Sequence, residues 1–320
     1  MSEEVQRVYF VVPPSVHLLD ISGPIHVFYE AAEYGSNLEL IFLTIDGNDS
    51  INSSAGIGLN KLEPFSNYDK LNENDIVFIP GLDTRLIFDE IFKDSLKPFF
   101  DWLQIQKDNQ AKICSVCTGA YLTAFAGVLE NVECTTHWKY TDDFKKRFPE
   151  TTLHEDRLFV KDGNIYSSAG ISSGIDLALF IIEELYGPFF ATKIAKEIVI
   201  FLRRTEDDPQ LSVFLQYRNH IENRIHKIQD HLAQHLDIKQ KIEDLADLVF
   251  MSPRNLTRLF KKTTGITIGE YHDKLRIERA IQLLANGEKV DVVSDLCGLS
   301  SNQLRSLLKK HSGILPSNLS

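Results

Sequence analysis

The stretch MSPRNLTRLFKKTTGI, residues 251–266, returns 48 residues later as LSSNQLRSLLKKHSGI, residues 299–314. Seven of the sixteen aligned positions are identical, and most of the others keep their residue type. In both copies a serine that can cap a helix precedes two leucines on one helical face, a Lys-Lys pair and a glycine that can end the helix. The repeat predicts that one helical unit is built twice in this part of the chain.

Each copy follows a short amphipathic segment, IEDLADLVF (242–250) or VDVVSDLCG (290–298). Helix, tight turn and capped helix is the layout of a helix-turn-helix, whose second helix enters the major groove of DNA. The polar residues predicted to face the DNA are Arg254, Asn255, Thr257, Arg258 and Lys261 in the first copy, and Asn302, Gln303, Arg305 and Ser306 in the second.

The alternative for this region is an ordinary helical hairpin with a solvated polar face. Two copies joined by a long helix-like run at 268–285 favour the DNA-binding interpretation, with double-stranded DNA as the partner.

Residues 245–284, LADLVFMSPRNLTRLFKKTTGITIGEYHDKLRIERAIQLL, resemble the DNA-binding domain of AraC/XylS regulators, which has two helix-turn-helix units joined by a long helix. The second unit departs from that pattern. Family members usually carry Gly-Phe before the turn and an arginine near position 306, whereas this chain has Gly298-Leu299 and Ser306. The second recognition helix is therefore expected to bind mainly the DNA backbone, or to bind weakly.

The length and the charge distribution predict a second, larger domain. A chain of 320 residues with 43% hydrophobic and 25% charged residues suits two globular domains. The net charge is -11, but residues 221–320 hold 15 Lys and Arg against 12 Asp and Glu, which gives +3 there and -14 before it. The basic excess falls in the module that would meet phosphate, and the acidic remainder would repel DNA.

The start of the chain and its cysteines favour a cytoplasmic protein. MSEEVQRVYFVV does not have the pattern of a signal peptide, and no run of eighteen apolar residues predicts a membrane span. The four cysteines are expected to be reduced thiols, because the chain is long and not rich in cysteine; they are Cys114, Cys117, Cys134 and Cys297.

Residues 1–204 are predicted to form an α/β domain, a mostly parallel sheet flanked by helices, of the flavodoxin-like kind. Apolar strand segments at 7–12, 38–45, 75–80 and 111–116 alternate with helical segments, the first of which Asp20 or Ser22 could cap. The charged, proline-containing stretch at 205–216 is predicted to be a linker, and 217–320 an all-α domain with two helix-turn-helix units.

Cys117 is the most informative residue of the α/β domain. The carboxyl ends of the strands, where such sheets bind ligands, carry Asp20, Gly81 and Cys117. A cysteine where a strand turns into a helix is a nucleophile-elbow arrangement, and the helix N-terminus is expected to lower its pKa. The alternative is an inert buried thiol. Cys114 and Cys117 do not predict a redox or zinc site, because Cys114 lies within the strand and no second pair exists; no metal or cofactor is expected.

His137 and Asp20 are the side chains that could assist Cys117. His137 follows the cysteine by twenty residues and could serve as its base, or it could only hold a loop by hydrogen bonds. Asp20 could face Cys117 or orient a bound water, or it could only cap its helix.

The first 200 residues resemble the PfpI/ThiJ-type, class I glutamine amidotransferase-like domain. The pieces that match are LLDISGPIHVF, VFIPG, CSVCTGAYLTAFAGVL, TTHW and SSAGISSGIDLALFIIEE. Together with the AraC-type module they resemble GlxA-like transcriptional regulators. That resemblance implies Cys117 as the elbow cysteine, Asp20 as the acid facing it, His137 nearby, a pocket for a small-molecule effector, and a homodimer.

Two departures bear on catalysis. Thr118 stands where peptidase members have histidine, which argues against proteolysis, and Gly81-Leu82 replaces the Gly-Gly of many relatives, which puts acyl transfer in doubt. The set Asp20, Cys117 and Thr118 is similar to that of isonitrile hydratases. The leading interpretation is a sequence-specific transcriptional regulator and not an enzyme; the alternative is a cysteine-dependent hydrolase or hydratase acting through Cys117.

Overall fold

The computed structural model describes residues 5–170, 172–200, 210, 212–218, 220–285 and 287–311. The chain divides into two compact units, Met1–Gln210 and Leu211–Ser320. Of the predicted linker at 205–216, residues 205–209 and 211 lie outside the described residues. The last part of the predicted linker is helical, since residues Val213–Gln216 form a short helix. The Val213 N–H at its start donates to the Glu278 carboxylate at 3.0 Å.

The strands in the described part of the first unit are β1 (Gln6–Val11), β2 (Leu38–Thr44), β3 (Ser50–Asn52), β4 (Gly58–Asn60), β5 (Glu63–Pro64), β6 (Ile76–Ile79), β7 (Lys112–Val116), β8 (Glu133–Cys134), β9 (Thr152–Leu153), β10 (Phe159–Asp162) and β11 (Ile165–Ser168). Seven of them form one sheet with the order β10-β11-β7-β6-β1-β2-β5. All neighbours in this sheet are parallel except β10 and β11, which confirms the prediction of a mostly parallel sheet.

Helices cover both faces of this sheet, and the strands alternate between two cores. In β1, Val8 and Phe10 pack toward one face, whereas Tyr9 and Val11 pack toward the other. Both sets are apolar, as expected for a parallel sheet buried on both sides. The helices are α1 (Leu18–Glu33), α2 (Thr84–Ile87), α3 (Glu90–Ser95), α4 (Lys97–Asp108), α5 (Gly119–Phe125), α6 (Thr141–Arg147), α7 (Ser173–Tyr186) and α8 (Pro188–Glu197). Buried residues of α1, α7 and α8 fill the first core, and those of α4, α5 and α6 fill the second.

The start of α1 differs from the prediction. His17 occupies the N-cap position, and its side chain makes no capping hydrogen bond. Asp20 lies in the first turn of the helix and Ser22 further inside it, so the expectation that either residue caps the helix is wrong. The reason is that the helix begins at Leu18, three to five residues earlier than a cap at Asp20 or Ser22 would place its start. Asp20 is thereby directed into the protein, where its side chain is buried.

The second unit contains helices α9 (Val213–Gln216), α10 (Asn223–Gln234), α11 (Ile242–Leu248), α12 (Pro253–Thr264), α13 (Ile268–Ala285), α14 (Val290–Leu296) and α15 (Ser301–His311). Each half has its own apolar core, and α13 contributes to both. Tyr271 and Leu275 pack with α11 and α12, whereas Ala280 and Leu284 pack with α14 and α15. The two helix-turn-helix units are thus α11–α12 and α14–α15. The long helix α13 joins them, as predicted.

The repeated serines cap their helices. Ser252 Oγ accepts a hydrogen bond from the Asn255 N–H at 3.4 Å, and Ser300 Oγ accepts one from the Gln303 N–H at 3.3 Å. Gly265 ends α12 in the left-handed conformation at φ +82°, as a helix-terminating glycine should. Its counterpart Gly313 lies outside the described residues. Among the residues that the structure describes, no helix is both long and apolar enough to cross a membrane.

Gly119→Ala tests how the first unit positions α5. An added Cβ would lie 2.1 Å from the Ile79 carbonyl oxygen and 2.9 Å from that of Pro80, and these backbone atoms have little freedom to move. We expect the free energy of unfolding to fall by about 3 kcal/mol or more. Urea unfolding followed by tryptophan fluorescence reports this unit alone, because both tryptophans, Trp102 and Trp138, belong to it.

Gly163→Ala is the matched control for that substitution. Gly163 has φ +58°, but nothing lies within 4 Å of its added Cβ, so only the left-handed backbone penalty of about 1–2 kcal/mol applies. Equal losses for the two variants would contradict the close contact between α5 and the end of β6.

Candidate functional sites at Cys117 and on the repeated helices

Cys117 stands in a strained turn between β7 and α5. Its φ is +59°, in the left-handed region that non-glycine residues rarely adopt, and its exposure is 3%. Two glycines make room for the turn. A Cβ on Gly170 would lie 2.3 Å from the Cys117 Cβ, and one on Gly81 would lie 3.2 Å from it. The predicted elbow is therefore present, and the loops after β6 and β11 pack directly against it.

Three hydrogen bonds hold the turn in place. The Cys117 N–H donates to the Ser168 carbonyl at 2.9 Å, and the Thr136 hydroxyl donates to the Cys117 carbonyl at 3.1 Å. The hydroxyl of Thr118 donates to the Leu82 carbonyl at 3.3 Å, which ties the start of α5 to the loop after β6. Segments from four parts of the chain thus fix the orientation of the cysteine.

Asp20 and His17 meet Cys117 at the edge of the sheet. Asp20 is 1% exposed, and its Oδ2 lies 3.4 Å from His17 Nδ1. One ligand atom from each of these three residues lies within 4.8 Å of the others. The backbone of His17 is fixed, because its N–H donates to the Gly81 carbonyl at 2.8 Å. A nitrogen, a carboxylate oxygen and a thiol sulfur therefore converge beside the elbow.

The pKa of the Cys117 thiol is raised well above its usual range, and the expectation of a lowered pKa is wrong. Burial disfavours the thiolate most, and the negative charge of Asp20 adds to the effect. The N–H of Thr118 favours the thiolate, as the helix-start argument supposes, but this smaller contribution does not prevail. The thiol is therefore protonated at neutral pH.

His137 lies in the same electrostatic neighbourhood but is not part of the His17, Asp20 and Cys117 group. Burial lowers its pKa, and the Asp20 carboxylate partly opposes that shift. Its Nδ1 accepts a hydrogen bond from the Lys139 N–H at 3.3 Å, so it caps the short turn at Trp138–Tyr140. His137 thus has the loop-holding role that the sequence left open, and it stays a predicted pocket residue.

Sequence reasoning missed His17, Thr136 and Gly170. His17 had a detectable signal, because it precedes Asp20 by three residues and side chains at that spacing share one side of a helix start. The other two had none. Thr136 and Gly170 reach the elbow only because β8 and β11 bring their loops to the same edge of the sheet as β7.

The polar face of α12 is exposed as predicted. All five of its predicted DNA-contacting residues are exposed, and they share the helix with buried Leu256 and Phe260. Together with Pro253 and Lys262, four of them line one open depression: Arg254, Thr257, Arg258 and Lys261. The Thr257 hydroxyl donates to the Pro253 carbonyl at 2.8 Å, so this residue presents its methyl group and an acceptor oxygen.

The polar face of α15 is exposed too, but Gln303, one of the residues predicted to contact bases, bonds its own helix start. Gln303 Oε1 accepts from the Ser300 N–H at 2.9 Å and lies 3.0 Å from the Ser300 hydroxyl. With the reciprocal bond from the Gln303 N–H, this forms a capping box that occupies the amide oxygen. Asn302, Arg305 and Ser306 are exposed.

Two family models match the chain. The DJ-1/PfpI family matches residues 6–184, and a helix-turn-helix domain model matches residues 245–320. The first match spans the unit that contains the Cys117 elbow, and the second spans both repeated helices.

Curated proteins and solved structures agree with this division. The transcriptional regulator GbdR of Pseudomonas aeruginosa is 28% identical over 217 residues, which cover 67% of this chain and 59% of that protein. An isonitrile hydratase of Pseudomonas putida is 28% identical over 181 residues, 57% of this chain and 72% of the enzyme. A ThiJ/PfpI family protein of Pseudomonas syringae has the same fold, with a TM-score of 0.53 at 18% identity over 77% of this chain and 90% of its own. The chain thus spans less than two thirds of the length of the regulator that it matches.

Alkylation of Cys117 tests the raised pKa. Because the thiol is protonated at neutral pH, its rate with iodoacetamide should rise with pH from about pH 7 to pH 9 without reaching a plateau. Mass spectrometry of digested protein separates Cys117 from the other cysteines. Asp20→Asn removes a charge that opposes the thiolate, so it should speed alkylation at a given pH. A rate that levels off below about pH 8 would show that the thiolate is already stable.

Proposed function

The chain belongs to the DJ-1/PfpI family, and on that premise we propose that it is a transcriptional regulator. A sensing domain of this family is joined to an AraC-type domain that binds double-stranded DNA sequence-specifically. The observation that carries the proposal is the exposed cationic face of α12, repeated in degenerate form on α15. The similarity to GbdR supports it.

The chemistry of α12 suits base reading. Arg254 and Arg258 are exposed, lie one helical turn apart and form no ion pair within the described ranges, so both guanidinium groups are available. Arginine pairs with guanine through two hydrogen bonds, and the Thr257 methyl group suits thymine. Lys261, a turn further on, would contact phosphate. The first unit would therefore supply most of the sequence specificity.

We further propose that the first unit binds a small-molecule effector at the Cys117 edge of the sheet. Asp20, Cys117 and His137 would face the effector, and the strained, hydrogen-bonded elbow would hold these groups in fixed positions. A homodimer is expected, and it would place two α12 helices on two half-sites of an operator. Localisation in the cytoplasm is part of this proposal, because the protein must reach DNA to regulate transcription.

A second candidate function is hydration of an isonitrile, in which water adds to the terminal carbon to give a formamide. The convergence of Asp20 and Cys117 with Thr118 next in the chain favours it, and so does the similarity to an isonitrile hydratase. Incubation with an alkyl isonitrile and detection of the formamide by NMR tests this function. Formation of the formamide by the protein but not by Cys117→Ser would establish this activity. Absence of the formamide would rule it out and leave transcriptional regulation as the proposed function.

Arg258→Ala tests the regulator. Selection from random duplex DNA at a stated salt concentration should enrich one motif, and fluorescence anisotropy then measures its affinity. Loss of a two-bond base contact should weaken binding by about 1–3 kcal/mol, or roughly 5-fold to 150-fold. Arg224→Ala is the matched control, because Arg224 lies on α10 with its guanidinium bonded to Glu222. Unchanged affinity for Arg258→Ala would overturn the assignment.

Substitutions in α15 test the expectation of a weaker second reader. Arg305→Ala should weaken binding to all sequences alike and reduce the salt dependence by about one phosphate contact. Gln303→Ala removes the capping box and should lower the stability of the second unit by about 1 kcal/mol without changing the preferred motif. A changed motif for Gln303→Ala would show that this amide reads a base.

A further inference from the structure

We propose that His17, Asp20 and Cys117 form a binding site for a zinc-class divalent cation, with three protein ligands. The spacing of Cys114 and Cys117 does not predict such a site, because its other ligands come from a distant segment. His17 and Asp20 belong to the start of α1, whereas Cys117 follows β7. The proposal concerns the first unit only and does not depend on DNA binding.

The spacing of the ligand atoms fits this ion. Zinc binds histidine nitrogen and carboxylate oxygen at about 2.0–2.2 Å in a tetrahedral arrangement, which places two such ligands about 3.4 Å apart. His17 Nδ1 and Asp20 Oδ2 are 3.4 Å apart. Without metal the same two atoms form a long ion pair, and the Asp20 hydrogen bond raises the pKa of His17. The separation also suits two neighbouring ligands of one zinc ion. All three ligand atoms lie within 4.8 Å, so the sulfur needs to move by on the order of 1 Å.

The donor set favours zinc over the hard cations. Thiolate and imidazole bind borderline metals such as Zn²⁺, whereas Mg²⁺ and Ca²⁺ prefer oxygen donors. A dication would also stabilise the charged forms of its two acidic ligands. Asp20 and the Cys117 sulfur are both almost fully buried, and the thiol is protonated without metal. A bound cation would offset the cost of placing two negative charges together at such a position. On binding, Zn²⁺ would replace the thiol proton, which leaves to solvent, and a Zn–S bond would form.

The surroundings leave an entry path and a fourth position. His17 is about one third exposed, so the ion can arrive from solvent on that side. Its backbone is held by the Gly81 carbonyl, and the cysteine backbone is held by Ser168 and Thr136, so both ligands start from fixed positions. Three protein ligands leave the fourth tetrahedral position to water, as in zinc sites that remain open to a ligand.

Zinc titration of the tag-free full-length protein against a chromophoric chelator tests the proposal. We expect the unmodified protein to bind one zinc ion per chain. His17→Gln and Cys117→Ser should each bind zinc at least tenfold more weakly. Cobalt serves as a spectroscopic stand-in, and a thiolate-to-cobalt charge-transfer band should appear in the unmodified protein and vanish in Cys117→Ser.

Two control variants separate this site from other zinc ligands. His26→Gln changes an exposed histidine on α1, and Cys114→Ser changes the buried cysteine within β7; both should retain the unmodified protein's zinc affinity. Circular dichroism and thermal unfolding without metal verify that each variant folds, and His17→Gln suffices if Cys117→Ser does not. No zinc binding by the unmodified protein, or equal affinity in folded His17→Gln, would overturn the proposal. Zinc affinity tests only the metal site. A separate measurement of DNA binding tests the proposal that the protein is a regulator.

Discussion

The left-handed backbone at Cys117 is the constraint on which the candidate site depends. A non-glycine residue there costs on the order of 1–3 kcal/mol and persists only where its surroundings fix it. Here the surroundings are three positions without a side chain. Gly119 lies against the end of β6, and Gly81 and Gly170 lie against the cysteine itself. A methyl group would collide with the Ile79 carbonyl oxygen at Gly119, with the Asp20 carboxylate at Gly81 and with Cys117 itself at Gly170. The turn is therefore held in place by close approaches that only glycine permits, together with the hydrogen bonds of two threonine hydroxyls.

The architecture of the first unit followed from the sequence because its signals are local. Continuous apolar runs indicated strands buried on both faces, and the observed strands β1, β2, β6 and β7 lie at those runs. Only some of the residues of the Cys117 site could be predicted from the sequence. Cys117 and Asp20 could be named from the positions of loops, but His17 reaches them through the contact of Val16 with Leu82, which joins segments distant in the chain. The predicted direction of the pKa shift of Cys117 was wrong because burial raises this pKa, and the burial of a side chain depends on segments that are distant in the sequence.

The repeated helices show what a pattern can and cannot tell about side chains that look alike. Asn255 and Gln303 are both exposed amides at the starts of their helices, and both were predicted to read bases. The structure separates them. The Gln303 amide oxygen accepts hydrogen bonds from Ser300, three residues earlier. In the first unit Ser252 caps the helix only through its hydroxyl, which accepts from the Asn255 N–H. Whether an exposed side chain serves the helix or a partner depends on its rotamer, which helical periodicity does not specify.

The membership of α13 in two cores has a consequence for how this unit folds. In a solenoid each repeat contacts only its neighbours, so stability is a sum over repeats and the array can unravel from one end. Here one helix supplies buried residues to both halves, Leu275 to the first and Leu284 to the second. Unfolding of α13 as a whole would expose both cores together. We therefore expect the tandem copies to unfold as one cooperative unit, in contrast to the repeats of a solenoid.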